Sequence, residues 1–249
     1  MEYRLAVDLH VHTIASGHAY STVEEIARRA AAKGLEGVAI ADHGPAMAGS
    51  GHIYHFWNMQ VIPRYMHGVF ILRSCEANIL NPQGDLDLPG EILDALDIVH
   101  AGLHPFCGYE GKSAAENTAA LVGALNRKEV DIIVHPGNPA FPIEIDTLAE
   151  EAARLGKAIE INNSSFVYTR KGSRENCLAI ARALKRTGGP VSLGSDAHIA
   201  DFAGEFSRAL EVIAEAGIAL RQVINYDLET LRGFLASRSK PLFLHSDDG

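Results

Sequence analysis

Two histidines, His10 and His12, close the apolar run "YRLAVDLHVH", and His18 follows six residues later. In a strand, residues i and i+2 point to the same side, so His10 and His12 can grip one ion. Asp196 and His198, in "LGSDAH", repeat that spacing. Single residues of the same chemistry end other apolar runs: His43 in "IADHG", Glu76 in "CEANI", His104 in "GLHP" and His135 in "VHPG". Imidazole and carboxylate together suit zinc, manganese or iron. A closed tetrahedral site takes about four ligands. Seven histidines with Glu76 and Asp196 make nine, which points to two or three ions, with a carboxylate such as Glu76 bridging.

A lone histidine at a strand end is usually structural or solvated, and an isolated HxH says little. Recurrence at corresponding ends of successive units is what a structural role explains poorly. The other histidines, His52, His55, His67, His100 and His245, take structural or solvated roles by default. His100, four residues before His104, shares its strand face but lies deeper. His52 and His55 could instead line a cleft mouth.

The elements that must hold these residues alternate along the chain. "YRLAVDLHVH", "EGVAIADHG", "VFILRSCEANIL", "DIVHAGLHP", "VDIIVHPG", "KAIEINNSS" and "PVSLGSDAH" read as strands. Between them, "STVEEIARRAAAKG" reads as a helix with Ser21 or Thr22 as N-cap and Gly34 as its stop. "SAAENTAALVGALNRK", "IEIDTLAEEAARLG" with Asp146 as N-cap, and "SRENCLAIARALKRTG" are further helices. "EFSRALEVIAEAG" and "DLETLRGFLASR" close the chain, and the tail "SDDG" reads as frayed. Ser50 to His67 is aromatic-rich and suggests short helices over one end, and "NPQGDLDLP" a turn or small hairpin. Such alternation favours a parallel sheet, closed as a barrel or open and doubly wound. In a barrel the strand ends converge on one face.

The chain of 249 residues is 47% hydrophobic and 21% charged, enough apolar material for one large α/β domain or two smaller ones. No internal linker or short-period repeat divides it. A net charge of −9 argues against a general nucleic-acid surface, but not against a small anion, because bound cations would reverse the local potential. Cys75, Cys107 and Cys177 form no CxxC, so a reducing cytoplasm is expected. No apolar run approaches the roughly 18 residues of a membrane span.

"DLHVHTIASGH", "IADHG", "CEANI", "GLHP", "VHPGNP", "EINNSS" and "LGSDAH" resemble, in order, the motifs of the PHP (polymerase and histidinol phosphatase) superfamily, most closely its YcdX-type phosphatases. The resemblance runs from Asp8 to the helix after His198. It implies an α/β fold, a single domain over 1–249 built as a distorted seven-stranded β/α barrel, with three metal ions at the C-terminal strand ends. Carried over, His10, His12, Glu76 and Asp196 resemble ligands of the first ion. Glu76, His104 and His135 resemble those of the second, and His18, His43 and His198 those of the third. Zinc is the expected metal, with manganese or iron as alternatives.

The function this implies is hydrolysis of a small phosphomonoester by a metal-bound hydroxide, with no protein nucleophile. Cys75 and Cys107 are therefore not candidates, and Asp42 either orients a ligand or is structural. Arg170, Lys171, Arg174 and Arg208, with Asn162 and Ser164, are candidate phosphate contacts after the last strands. Histidinol-phosphate phosphatase, a PHP-type nuclease and a noncatalytic metal-binding module are the competing readings. A barrel amidohydrolase is disfavoured because no lysine ends a strand. Neither a membrane nor nucleic acid is an expected partner. A homo-oligomer stays open, with Tyr54 to Tyr65 as an interface or a cleft wall.

Overall fold

A computed structural model describes residues 5–167, 170–240 and 242. Tyr3 and Arg4 of the first expected strand, His245 and the tail "SDDG" lie outside them. In chain order the first half holds β1 (Val7–Val11), α1 (Val23–Ala32), β2 (Gly37–Ile40), α2 (Ile53–Trp57), β3 (Tyr65–Met66), β4 (Val69–Asn78), α3 (Gly90–Leu93) and β5 (Ile98–Gly102). The second half holds α4 (Ala114–Asn126), β6 (Ile132–Ile133), α5 (Ile145–Leu155), β7 (Ala158–Asn162), α6 (Ser173–Thr187), β8 (Val191–Gly194), α7 (Ser207–Ala216) and α8 (Leu228–Ser237).

Seven strands pair in parallel in the order β1-β2-β4-β5-β6-β7-β8, and the short β3 folds back antiparallel on β4. The long β4 explains the distortion. Its first half, Phe70 to Arg73, pairs with β2, and its second half, Ser74 to Asn78, pairs with β5. The turn after β8 excludes the open, doubly wound alternative. Its Asp196 amide donates to the His10 carbonyl at 2.8 Å, and the His12 amide donates to its Ala197 carbonyl at 2.9 Å. The last strand thus returns to the first, and the sheet is a nearly closed, distorted β/α barrel.

Local sequence explains the helices. Thr22 caps α1 and Glu25 reaches back to complete a capping box; Ser113 and Glu116 do the same for α4. One expectation needs correction. Asp146 does not cap α5, because the helix starts two residues earlier than expected, with Glu144 at the N-cap. The Glu144 amide is instead held by the Thr118 hydroxyl at 2.8 Å. Asp146 sits in the first turn, where a carboxylate favours the helix dipole, and pairs with Arg186.

The apolar faces of the helices bury against the outside of the barrel. Ile26, Ala27 and Ala30 of α1 are fully buried there, and a buried isoleucine contributes about 1.5–3 kcal/mol. A second cluster joins Val7, Phe70, Ile98 and Ile132 to Leu231 and Leu235 of α8. These residues lie near the strand starts, so α8 closes the N-terminal end. The C-terminal end is left for the polar residues.

Candidate metal centre

The strand ends bring the expected ligands together around Glu76, which is fully buried. Its Oε2 lies 3.3 Å from His10 Nε2, 3.4 Å from His12 Nε2 and 2.9 Å from His43 Nδ1. Its Oε1 lies 2.9 Å from His104 Nε2 and 2.7 Å from His135 Nε2. One carboxylate thus faces two sets of imidazoles with its two oxygens. Asp196 Oδ1 completes the first set, 3.3 Å from His12 Nε2 and 3.8 Å from His10 Nε2. His198 Nδ1 is 3.5 Å from the same oxygen. The His18 ring stacks on His43 with centroids 5.1 Å apart and lies 4.8 Å from His198.

Ligand atoms of three groups lie within 4.8 Å of one another: His10, His12 and Glu76; His43, Glu76 and His104; His12, His43 and His198. Two pairs of ring nitrogens face each other closely, His10 with His12 at 3.1 Å and His104 with His135 at 3.2 Å. Glu76 Oε2, His43 Nδ1 and His104 Nδ1 are buried with no hydrogen-bond partner. Buried polar atoms are ordinarily satisfied. Converging imidazole nitrogens around an unsatisfied carboxylate oxygen call for positive charge, and this donor set fits borderline divalent ions.

Other residues orient the rings. Ser16 gives its hydroxyl hydrogen to Asp42 Oδ1 at 2.7 Å. Its oxygen therefore accepts from His12 Nδ1 at 3.0 Å, which leaves the His12 Nε2 lone pair pointing inward. Asp42 also takes the Thr13 amide at 2.7 Å and His55 Nε2 at 3.0 Å. Burial pushes the Asp42 carboxyl up, but the His55 hydrogen bond, the His12 charge and Ser16 overcome it and hold it at about 2. Asp42 thus bonds the Ser16 that orients a ring. His55 reaches the network from α2, within the aromatic segment, whereas His52 caps α2 through the Tyr54 amide.

Glu160 is the residue that sequence reading missed. Its Oε1 accepts from His10 Nδ1 at 2.7 Å. Its Oε2 accepts the His135 amide at 2.9 Å and Asn162 Nδ2 at 3.1 Å. One carboxylate on β7 therefore holds groups from β1 and from the end of β6. A side chain at Gly194 on β8 would collide with this carboxylate and with His10. The available signal was an acidic residue inside the otherwise apolar strand "AIEIN". His135 (φ 34°) and Asp196 (φ 54°) adopt the left-handed region, a strain that ligand positions commonly carry.

Burial opposes charge on the rings of His10, His12, His104 and His135. It pushes His12 well down and His104 down, and holds His135 at about 3, with Arg170 adding to the last. At His10 the carboxylates of Glu160, Glu76 and Asp196 outweigh burial and raise the ring well above its ordinary value. Burial would also raise Glu76 and Asp196, but the surrounding histidines, with Arg170 beside Asp196, hold both well down. The thiols go the other way. Burial pushes Cys75 well up, Cys107 to about 11 and Cys177 to about 12.

Residues 8–213 match the PHP domain. The chain belongs to the PHP domain family. A probable phosphatase of Thermoanaerobacter sp. strain X514 is 46% identical over 239 residues, covering 96% of this chain and 98% of its own. A probable phosphatase of Syntrophotalea carbinolica is 48% identical over 229 residues, covering 92% of this chain and 95% of its own. The histidinol phosphate phosphatase of Lactococcus lactis, solved with zinc, L-histidinol and phosphate, superposes with a TM-score of 0.63. It is 20% identical and covers 86% of this chain and 94% of its own, a likeness that concerns the fold.

In this PHP domain the centre opens into a cavity of about 770 Å³, lined by His18, His43, His104, Asp196 and His198 and bordered by Ser164 and Arg170. Arg170 Nη1 bonds Asp196 Oδ2 at 3.1 Å and Ser165 Oγ at 3.2 Å. Asn162 is buried behind it, donating to Asp196 Oδ2 at 3.2 Å. Arg174 and Arg208 are placed elsewhere, outside the cavity lining. Arg174 pairs with Glu215 at 2.7 Å on the surface, and Arg208 with Glu211 at 3.3 Å. His100 lies beneath the centre, its Nδ1 2.9 Å from Ser74 Oγ and its ring 5.5 Å from His10. Among the described residues no helix is long and apolar enough to cross a membrane.

Proposed function

We propose that this PHP domain is a metal-dependent phosphatase acting on small phosphomonoesters, with three divalent ions, zinc foremost, in the centre. The observation that carries the reading is Glu76, whose two oxygens face two imidazole sets at 2.7–3.4 Å. In this reading His10, His12, Glu76 and Asp196 hold one ion, Glu76, His104 and His135 a second, and His18, His43 and His198 a third. Divalent ions held there would lower the pKa of water and offset the negative charge of a phosphoryl group.

The chain's own contribution is positional. Glu160 and Ser16 fix the His10 and His12 rings by hydrogen bonds at 2.7 and 3.0 Å. Arg170, 16% exposed on its side chain, lines the cavity to receive a phosphoryl oxygen, as does Ser164. None of the three thiols attacks phosphorus, since burial holds them far from ionisation. Whole-chain likeness to probable phosphatases supports the same reading.

The test is hydrolysis of para-nitrophenyl phosphate beside its bis-ester, by protein stripped with chelator and reloaded with zinc or manganese, with bound metal measured in the same samples. Monoesterase activity that returns with metal is the expected result. Diesterase activity alone would replace the reading with a nuclease. About three ions bound without turnover of any ester would reject catalysis.

A further inference from the structure

The cavity over the histidines is larger and more apolar than a phosphate group requires. Its volume of about 770 Å³ falls in the range of sites that enclose drug-sized ligands. The floor is the imidazole and carboxylate cluster. The wall is different, carrying Tyr20, Met47, Val167, Ile199 and Phe202. Tyr20 is 76% exposed, Val167 46%, Phe202 45% and Ile199 39%. Scattered exposed apolar side chains need no explanation, but a group that lines one cavity marks a surface that a ligand covers.

Charge narrows the ligand further. Among the described residues lining the cavity Arg170 is the one lysine or arginine, and it already bonds Asp196 at 3.1 Å. Glu205 lines the same cavity. A single phosphoryl group would find its cationic partners in Arg170 and the ions proposed for the floor. A second would lie beside the Glu205 carboxylate or against the apolar wall, where an unpaired charge is costly.

We propose that Tyr20, Val167, Ile199 and Phe202 form a leaving-group subsite that selects monophosphate esters of ring-sized, mainly apolar alcohols. This rests on the phosphatase reading and specifies its substrate class. In the reaction the oxygen of water bonds to phosphorus, the bond from phosphorus to the alcohol oxygen breaks, and a proton of the water ends on the released alcohol. The alcohol's apolar part lies on the wall before and during that step. Its burial therefore acts mainly on KM and so on kcat/KM.

Metal-loaded protein is assayed with 2-phenylethyl phosphate and ethyl phosphate, whose leaving groups are both primary alcohols, so that the ring alone differs. Glucose 6-phosphate and fructose 1,6-bisphosphate serve as polar and doubly charged comparisons. The phenylethyl ester is expected to exceed the ethyl ester and both sugar esters in kcat/KM by about tenfold or more. In the Val167→Ser, Phe202→Ser double variant the phenylethyl-to-ethyl ratio falls to within about threefold. Preference for a sugar ester, or a ratio the double variant leaves intact, overturns the subsite while the phosphatase stands. Calorimetry with 2-phenylethylphosphonate and ethylphosphonate separates the two claims. If no ester turns over, the phosphatase reading fails. The subsite is then kept only if the phenylethyl compound binds about tenfold tighter and the double variant loses that preference.

Discussion

The two ends of the barrel both bury charge, and they do so in opposite ways. At the N-terminal end Asp131 is fully buried. Its carboxylate meets Lys240 at 2.6 Å, Arg238 at 3.5 Å and the Val99 amide at 2.9 Å. Lys157 is buried nearby and donates to the Arg127 carbonyl, although burial, helped by Arg238, lowers it to about 8. Charges of opposite sign answer one another, and the chain after α8 is tied to the barrel floor. At the C-terminal end, carboxylates face imidazoles, ring nitrogens face ring nitrogens, and among the described residues Arg170 is the guanidinium bonded into the set. The first cluster meets its carboxylate with two fixed cations of the chain, although Asp131 Oδ1 and Arg238 Nε are buried without a hydrogen-bond partner. The second is complete only as a binding site for cations, because its donors converge without enough fixed positive charge.

That contrast can be broken from either side. The largest effect is expected for Glu76→Gln, which breaks the carboxylate whose two oxygens face the two imidazole sets. Metal content should fall and kcat/KM should drop more than about 1000-fold, because a ligand to more than one ion is lost. Metal analysis showing an unchanged ion count would defeat the assignment. Asp131→Asn should give the complementary result. Breaking a buried pair costs about 3–5 kcal/mol, read as a lower urea midpoint, while metal affinity at the other end stays unchanged. A joint loss of metal would mean that the two ends are one cooperative unit.

A smaller effect sharpens the boundary of the centre. Glu160→Gln keeps the shape of the side chain but weakens its hold on the His10 ring. Metal affinity, measured by competition with a chromogenic chelator, should fall about 10- to 100-fold, with the unfolding midpoint of metal-free protein nearly unchanged. If instead the metal-free midpoint collapses and affinity holds, Glu160 serves the fold alone.

The smallest effect concerns His100. Burial, with the His10 charge adding to it, lowers this ring from 6.5 to about 3. The unfolded ring takes up a proton below about 6.5 and the folded ring only near 3. Unfolding therefore binds a proton in that window, and stability falls as pH falls. Thermal scans of metal-free protein between pH 6 and 4 should show a shallower decline for His100→Gln than for the native chain. Parallel slopes would place the acid sensitivity elsewhere.

Much of the architecture was legible in the order of residues. Helix starts such as Thr22 with Glu25 carry their own caps, and strand runs such as Val69–Asn78 are apolar enough to be read directly. The histidine spacing was legible for the same reason, since alternation in a strand places His10 and His12 on one side. Where the reading missed, the cause was nonlocal. Asp146 lost the N-cap because Thr118, on another helix, held the Glu144 amide at 2.8 Å. Arg174 follows the right strand, yet Glu215 on α7 engages it, and Arg208 is the local exception, paired with Glu211 three residues on. Glu160 carried only a faint signal, because its partners lie 150 and 25 positions away.

The sequence by itself determined which side chains can donate to a cation, how strands and helices alternate, and the absence of any long apolar span. Tertiary structure decided that the sheet closes rather than staying open, through bonds between β1 and the turn after β8. It also decided which donors share a centre, which carboxylate steadies the His10 ring, and which walls the cavity presents. The physical reason is range. Propensity, capping and alternation act over a few residues, whereas convergence of seven strand ends depends on register and closure across the whole barrel.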